Sequence, residues 1–160
     1  MKKLGFIGGG NIATAIIKGA VDTGIVKPTD ITVFDIDEKK LAPFTTLGCF
    51  TAKSLGDLAN NSDIIFLTVK PQVLENVLNE LKEVIAENTL IISPVAGAKT
   101  SKISALLGSE KIIRVMPNTP LMYGAGATAI TAGAAVTKDE LDFAKKVFSA
   151  LGVTATVDED

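Results

Sequence analysis

The 160-residue sequence contains no histidine and a single cysteine, Cys49. Histidine is the most common general acid and base near neutral pH, so its absence leaves proton transfer to carboxylates, Lys, Tyr, hydroxyl groups or water. One cysteine cannot form an intrachain disulfide, and without histidine it has no partner for a nucleophilic pair or a typical metal site. We therefore expect no metal site and interpret Cys49 as a buried packing residue. Any chemistry is expected to come from a bound cofactor.

Long apolar runs and clusters of basic residues are also missing. The formal net charge is −2, with Lys and acidic residues interspersed along the chain. This pattern lacks the basic stripe that neutralises nucleic-acid phosphates. The first apolar run is ended by glycines far below the length that spans a membrane. We expect a soluble, cytoplasmic protein that binds neither nucleic acid nor a membrane.

The length and the 47% content of hydrophobic residues are sufficient for one well-buried domain. Short β-branched runs alternate with longer segments of helical periodicity, which is typical of βαβ units. The sequence therefore predicts an α/β fold, a Rossmann-type doubly wound, mostly parallel sheet with helices on both faces, as one dinucleotide-binding domain over residues 1–160. The predicted strands are residues 3–7, 30–35, 49–52, 63–69, 90–93, 111–115, 127–130 and 153–157.

Predicted helices begin at capping signals or prolines. The first follows Gly10 and ends at Gly24, and its apolar positions fall on one face. Thr137 and a Glu three residues later form a capping-box pattern for the last helix. The others are a short helix from Asp35 or Asp37 through Leu41, one after Ser54, one at Pro71 with Val73 in its buried stripe, and one near residues 101–107.

A glycine-rich turn at residues 8–13 carries the clearest chemical signal. It follows the first strand and opens an amphipathic helix, as in dinucleotide-binding proteins. Gly8 permits a turn that a Cβ would obstruct, Gly10 lets the main chain approach a pyrophosphate, and the small Ala13 allows the helix to pack closely on the strand. The alternative is a tight structural turn without a ligand.

Asp35 lies at the end of the second predicted strand. A carboxylate at this position accepts hydrogen bonds from the hydroxyl groups of the adenosine ribose, which favours NADH over NADPH. A 2′-phosphate would face like charge there, although Lys39 and Lys40 are close enough in sequence to leave the choice open. The alternative for Asp35 is an ordinary turn or helix-capping residue.

Three further segments follow predicted strands, at the sheet edge where open α/β proteins bind ligands. Val69, Lys70 and Pro71 follow the fourth strand, and small residues including Ala96 and Gly97 follow the fifth. Asn118 lies between two prolines that restrict its backbone. Each segment is a candidate cofactor contact or a plain turn.

Taken in order, four strings resemble one known family over nearly the whole chain. They are GFIGGGNIA at residues 5–13, VKPQ at 69–72, VAG at 95–97 and RVMPNTP at 114–120. Together they resemble the N-terminal domain of pyrroline-5-carboxylate reductases, and the VMPNTP part is the most discriminating because generic Rossmann domains do not carry it.

This resemblance implies NAD(P)H-dependent reduction of 1-pyrroline-5-carboxylate to L-proline, the last step of proline synthesis. It places the cofactor against residues 7–12, Asp35, Val69, Lys70 and Ala96, and places Asn118 near the nicotinamide and the substrate. The predicted cofactor-binding residues are Ile7, Gly8, Gly9, Gly10, Asn11, Ile12, Asp35, Val69, Lys70, Pro71, Ala96, Gly97 and Asn118.

The chain departs from the family pattern in three places. Members commonly use NADPH and carry a small polar or Arg-containing pair where this chain has Asp35 and Ile36. An Asn that often contacts the adenosine end is not evident, since Lys53-Ser54-Leu55 occupies that region. Members also continue into a helical C-terminal domain that forms the homo-oligomer and completes the substrate site with a Ser-Gly-Ser-Gly-Pro stretch. We expect that domain, and the catalytic residues that it contains, to be absent here. We therefore expect the 160 residues alone to be inactive.

Two other functions share these features. One is a different imine-reducing or hydroxyacid dehydrogenase with the same N-terminal unit, whose catalytic Lys would lie in the absent part; the loop at residues 116–120 argues against it. The other is a reductase-like protein that binds a nucleotide for regulation, which a fold alone does not exclude.

Overall fold

In the computed structural model, residues 2–117 and 126–158 are described, and they form a single eight-stranded sheet. The strands are β1 (Leu4–Ile7), β2 (Ile31–Phe34), β3 (Phe50–Thr51), β4 (Ile64–Leu67), β5 (Leu90–Ser93), β6 (Ile112–Pro117), β7 (Gly126–Ala132) and β8 (Gly152–Thr156). The α-helices are α1 (Asn11–Asp22), α2 (Ala42–Leu47), α3 (Leu55–Asn60), α4 (Leu74–Lys82), α5 (Thr100–Leu107) and α6 (Lys138–Ser149). Short 3₁₀ turns cover Pro28–Asp30, Glu38–Leu41 and Pro71–Val73.

The strand order is β3-β2-β1-β4-β5-β6-β7-β8. All neighbouring pairs run parallel except β6 and β7, which are antiparallel. The predicted mostly parallel, doubly wound sheet is therefore confirmed. Because β1 pairs with β2 on one side and with β4 on the other, the chain reverses its direction of winding at β1. Ligands of open α/β sheets bind outside the strand ends at such a point.

Two apolar cores cover the two faces of the sheet. Side chains alternate between them along a strand, so that Ile64 and Phe66 enter one core while Ile65 and Leu67 enter the other. Helices α1 and α6 pack on the first face, and α3, α4 and α5 pack on the second. Burial on both faces explains why the central strands are continuous apolar runs rather than alternating patterns.

The sequence prediction was wrong in three local details. The short helix that it ended at Leu41 is followed directly by α2, which ends at Gly48 with a φ of 104°. Val73, assigned to the buried stripe, is 41% exposed. Met116 was placed in a turn but belongs to β6, where it pairs with Ala129.

None of the helices within residues 2–117 and 126–158 is both long and apolar enough to cross a bilayer.

Candidate functional site

The ends of three adjacent strands meet at one edge of the sheet. Ile7, the last residue of β1, is level with Phe34 of β2 and Leu67 of β4. The Gly8 N–H donates to the Phe34 carbonyl at 2.7 Å, and the Thr68 N–H donates to the Ile7 carbonyl at 2.9 Å. The parallel pairing thus continues into the loops and brings the glycine-rich turn next to the segments that follow β2 and β4.

Positions 8 and 10 of the turn are occupied by glycine for different physical reasons. Gly8 has a φ of 106°, a conformation that L side chains rarely adopt, and a Cβ there would overlap the main-chain carbonyl of Thr68. Gly10 has an ordinary φ of −86°, and no heavy atom described outside its chain neighbours and its own helix lies within 4 Å of where its Cβ would be. The backbone requires glycine at position 8, whereas at position 10 glycine leaves space that a ligand can occupy.

The N-terminus of α1 starts beside that space. Gly10 is its N-cap, and within the described residues no side chain caps the helix and no acidic residue lies in its first turn. Ser54 caps α3 and Thr137 caps α6, whereas α2 and α4 begin without a cap from any described side chain, as α1 does. Main-chain N–H groups in the first turn have no partner within the helix and carry the positive end of its dipole. They therefore form an anion-binding arrangement that fits a pyrophosphate.

Asp35 points its carboxylate at the glycine-rich turn. Its Oδ2 accepts a hydrogen bond from the Gly9 N–H at 2.8 Å, and its Oδ1 accepts one from the Asp37 N–H at 2.8 Å. An ionised carboxylate has about four acceptor positions, so about two remain for a ligand. The predicted contact with ribose stays a prediction, while the contact with Gly9 is one that the sequence reasoning missed.

Thr68 was also missed. Its hydroxyl lies 2.7 Å from the Gly8 carbonyl and 3.1 Å from the Ile7 carbonyl. Because Thr68 follows a fully buried strand, a hydroxyl there could have signalled a bond to a neighbouring strand end, but nothing local identified the partner.

The remaining predicted residues follow β4 and β5 at the same edge. Val69 is half-buried, and its Cγ1 lies 3.3 Å from where a Cβ on Gly8 would be. Lys70 is exposed and precedes the turn that starts at Pro71. In the loop after β5, Ala96 and Gly97 are exposed, and Gly97 has a φ of 75°. The predicted residue Asn118 lies outside the described residues.

Comparison with known proteins identifies the family of the chain. The model of a family described as NADP oxidoreductase, coenzyme F420-dependent, matches residues 3–97, which include the glycine-rich turn, Asp35 and the segments after β4 and β5. The chain belongs to this family.

Its relatives include pyrroline-5-carboxylate reductases. The Escherichia coli (strain K12) reductase is 36% identical over 160 residues, covering 99% of this chain and 60% of that protein. The solved structure of the Coxiella burnetii reductase has a TM-score of 0.94 and 35% identity, covering 99% of this chain and 60% of that one. The Plasmodium falciparum pyrroline carboxylate reductase, solved with NADP bound, has a TM-score of 0.87 and 29% identity, covering 99% of this chain and 58% of that one.

These comparisons confirm the resemblance to pyrroline-5-carboxylate reductases and the Rossmann-type fold. They also support an NADP oxidoreductase domain. The chain spans about 60% of the length of the E. coli relative.

Proposed function

We propose that the 160 residues are the cofactor-binding half of an NAD(P)H-dependent reductase that converts 1-pyrroline-5-carboxylate to L-proline. The observation that carries the proposal is the likeness to pyrroline-5-carboxylate reductases along 99% of the chain. The uncapped start of α1 and the open space at Gly10 give that likeness a physical basis, because they fit the pyrophosphate of a dinucleotide.

In this proposal the chain binds and orients the cofactor. Main-chain groups of residues 7–12 hold the pyrophosphate, and Asp35 faces the adenosine ribose. Val69, Lys70 and Pro71 border the cofactor from the end of β4, while Ala96 and Gly97 let its nicotinamide half pass close to the backbone after β5. Asn118 is assigned to the side where nicotinamide and substrate meet. The bound cofactor supplies a hydride to the imine carbon.

The groups that bind the substrate carboxylate and donate a proton to the imine nitrogen are proposed to lie elsewhere. The relatives named as reductases are longer than this chain, which spans about 60% of the E. coli protein. The chain also has no histidine. We assign those groups, and the surfaces that form a homo-oligomer, to the part of the reductases that the chain does not span. The 160 residues alone should then bind cofactor without turnover.

We further propose that Asp35 favours NADH. Its carboxylate would face the 2′-phosphate of NADPH with like charge, and because Asp35 is partly buried, that repulsion would be stronger than in bulk water. Asp35→Ser should raise the affinity for NADPH relative to NADH. Asp63→Ser is the matched control, because the Asp63 carboxylate also accepts a main-chain bond, from Lys3 at the opposite end of β1. An unchanged NADPH-to-NADH ratio in Asp35→Ser would contradict a contact with ribose.

Two measurements test the function. In the first, the chain is titrated with NADH and NADPH while nicotinamide fluorescence is followed; failure of both to bind would end the proposal. In the second, the chain replaces the corresponding part of the E. coli reductase, and nicotinamide absorbance is followed after 1-pyrroline-5-carboxylate is added.

We expect the chimera to oxidise the cofactor only when that substrate is present, and the isolated chain to bind without oxidation. Circular dichroism and a comparison of its oligomeric state with that of the parent enzyme establish whether the chimera is folded. A folded chimera that binds cofactor but does not turn over would favour the regulatory alternative.

A further inference from the structure

The peptide unit between Gly8 and Gly9 is held at both ends by side chains. Its carbonyl oxygen, on Gly8, accepts a hydrogen bond from the Thr68 hydroxyl at 2.7 Å. Its N–H, on Gly9, donates to Asp35 Oδ2 at 2.8 Å. A peptide unit is planar and rigid, so fixing its oxygen and its N–H together fixes the orientation of the whole unit.

Both side chains are themselves anchored to the sheet. Thr68 follows β4, and its own N–H donates to the Ile7 carbonyl at 2.9 Å. Asp35 follows β2, and its second oxygen accepts the Asp37 N–H at 2.8 Å. Since β2 and β4 flank β1 on opposite sides, the Gly8–Gly9 peptide is gripped from both neighbours of the strand that leads into it.

Because the turn is a run of glycines, the orientation of this peptide depends on such hydrogen bonds. Gly8, Gly9 and Gly10 have no side chain to restrict rotation, so the peptide between the first two can reorient at little steric cost. Each orientation presents a different arrangement of N–H and C=O dipoles at the start of α1. An anion there is bound by dipoles that are already in place, whereas a mobile peptide must be ordered at the expense of affinity.

We infer that Asp35 and Thr68 are positioning residues that lock the Gly8–Gly9 peptide and thereby set the affinity of the site for the cofactor pyrophosphate. The inference rests on the proposed cofactor binding. It gives Asp35 a role apart from the choice between NADH and NADPH, and it adds Thr68, which contributes through its hydroxyl rather than through contact with the cofactor.

The lock is tested first in the free protein, through the hydrogen exchange of the Gly9 amide measured by NMR. Thr68→Val keeps the shape of the side chain but removes the hydroxyl, and Asp35→Ala removes the acceptor of the Gly9 N–H. Both should accelerate Gly9 exchange about tenfold, and Thr68→Ser should restore it. Unchanged exchange in Thr68→Val would overturn the lock, independently of whether any nucleotide binds.

Matched controls exist for both substitutions. The Thr23 hydroxyl also lies 2.7 Å from a main-chain carbonyl, that of Gly19, at the far end of α1. Asp63 accepts a main-chain N–H, that of Lys3, at 2.9 Å at the start of β1. Thr23→Val and Asp63→Ala should leave Gly9 exchange and nucleotide affinity unchanged, and thermal unfolding of every variant checks that the fold is intact.

The second test measures the Kd of NADH and of an NADH analogue that lacks both the 2′- and the 3′-hydroxyl of the adenosine ribose. Thr68→Val should weaken both ligands about fivefold, since it removes one neutral hydrogen bond of ordinary strength, and Thr68→Ser should restore both. Asp35→Ala should weaken the analogue as well as NADH.

Two results of this second test would overturn the inference. The first is faster Gly9 exchange in Thr68→Val without a change in Kd. The second is an effect of Asp35→Ala on NADH that vanishes with the analogue, because Asp35 would then act through ribose alone. If the unsubstituted chain binds neither nucleotide, the proposed function fails, while the exchange measurement still decides whether the peptide is locked.

Discussion

Gly10→Ala should weaken cofactor binding at least tenfold without disturbing the fold. The residue has a φ of −86°, which any amino acid adopts, and its Cβ would meet no described heavy atom within 4 Å beyond its own helix and chain neighbours. As an N-cap, Ala is worse than Gly by about 0.5–1 kcal/mol. Ala also reduces the conformational entropy of the unfolded chain, which stabilises the fold by about 0.4–1 kcal/mol. These terms nearly cancel, so the free energy of unfolding should change by less than about 0.5 kcal/mol.

The new methyl group would nevertheless occupy the space assigned to the pyrophosphate. We expect at least a tenfold loss of affinity for both nucleotides, about 1.4 kcal/mol or more. The assay combines urea unfolding with titration of NADH and NADPH. Gly56→Ala is the control, because a Cβ there would make ordinary contacts, the closest at 3.7 Å to Val84. A stable Gly10→Ala variant that binds like the parent would refute the placement of the pyrophosphate.

Gly8→Ala, unlike Gly10→Ala, should destabilise the fold itself. Its φ of 106° is strained for any L side chain and its Cβ would overlap the Thr68 carbonyl, so the free energy of unfolding should fall by about 2 kcal/mol or more. If Gly8→Ala unfolds at the same urea concentration as the parent, the described turn geometry is wrong.

Two further predictions concern groups away from the site. Burial raises the pKa of the Cys49 thiol to about 11, and the residue is 6% exposed. A thiol reagent at mildly alkaline pH should therefore modify the folded chain at least ~100-fold more slowly than the urea-unfolded chain. Equal rates of modification would contradict this burial. Burial also raises the pKa of Glu140, but hydrogen bonds from Thr137 and Lys111 and the charge of Lys111 outweigh it and hold the pKa below its ordinary 4.5. The ionised form therefore stabilises the fold above pH 4.5 and loses this effect as the pH falls through the lowered value. Glu140→Gln should lower the free energy of unfolding at neutral pH by about 0.5 kcal/mol, and a deficit that persists in acid would show that charge is not its cause.

The elements that the sequence predicted well are those whose signals are local. The first strand, the glycine-rich turn and α1 follow one another within residues 4–22, and each has its own pattern of apolar residues or glycines. The capping box of α6 is similarly local, and it forms as predicted between Thr137 and Glu140. In these segments periodicity and capping chemistry are sufficient, because no distant residue has to be known.

Helix α2 was missed because its cause is tertiary. Its only buried residue is Phe44, too few for a helical stripe, and it contains two threonines that lower helix propensity. The Phe44 ring lies beneath the glycine-rich turn, with Cε2 3.0 Å from where a Cβ on Gly9 would be. The helix is thus stabilised by packing against a segment more than 30 residues earlier in the chain. The same reason explains why two hydrogen bonds could not be predicted. Asp35 and Gly9 are 26 residues apart in the chain, and Thr68 and Gly8 are 60 residues apart.

Two roles are proposed for Asp35, in cofactor preference and in holding the Gly8–Gly9 peptide, so substitutions at this position are informative only when two replacements are compared. Asp35→Ser removes the charge that opposes a 2′-phosphate, but its shorter side chain also gives up the bond to the Gly9 N–H. Asp35→Asn removes the charge and keeps one carbonyl oxygen that can accept that N–H.

Both variants should therefore raise the NADPH-to-NADH affinity ratio, while Asp35→Asn should bind each nucleotide about threefold to fivefold more tightly than Asp35→Ser, the value of one weak hydrogen bond. Parallel titrations of the two variants with both nucleotides give the four Kd values required. Equal ratios with equal affinities in Ser and Asn would mean that the Gly9 bond adds nothing to cofactor binding, and that the carboxylate acts through its charge alone.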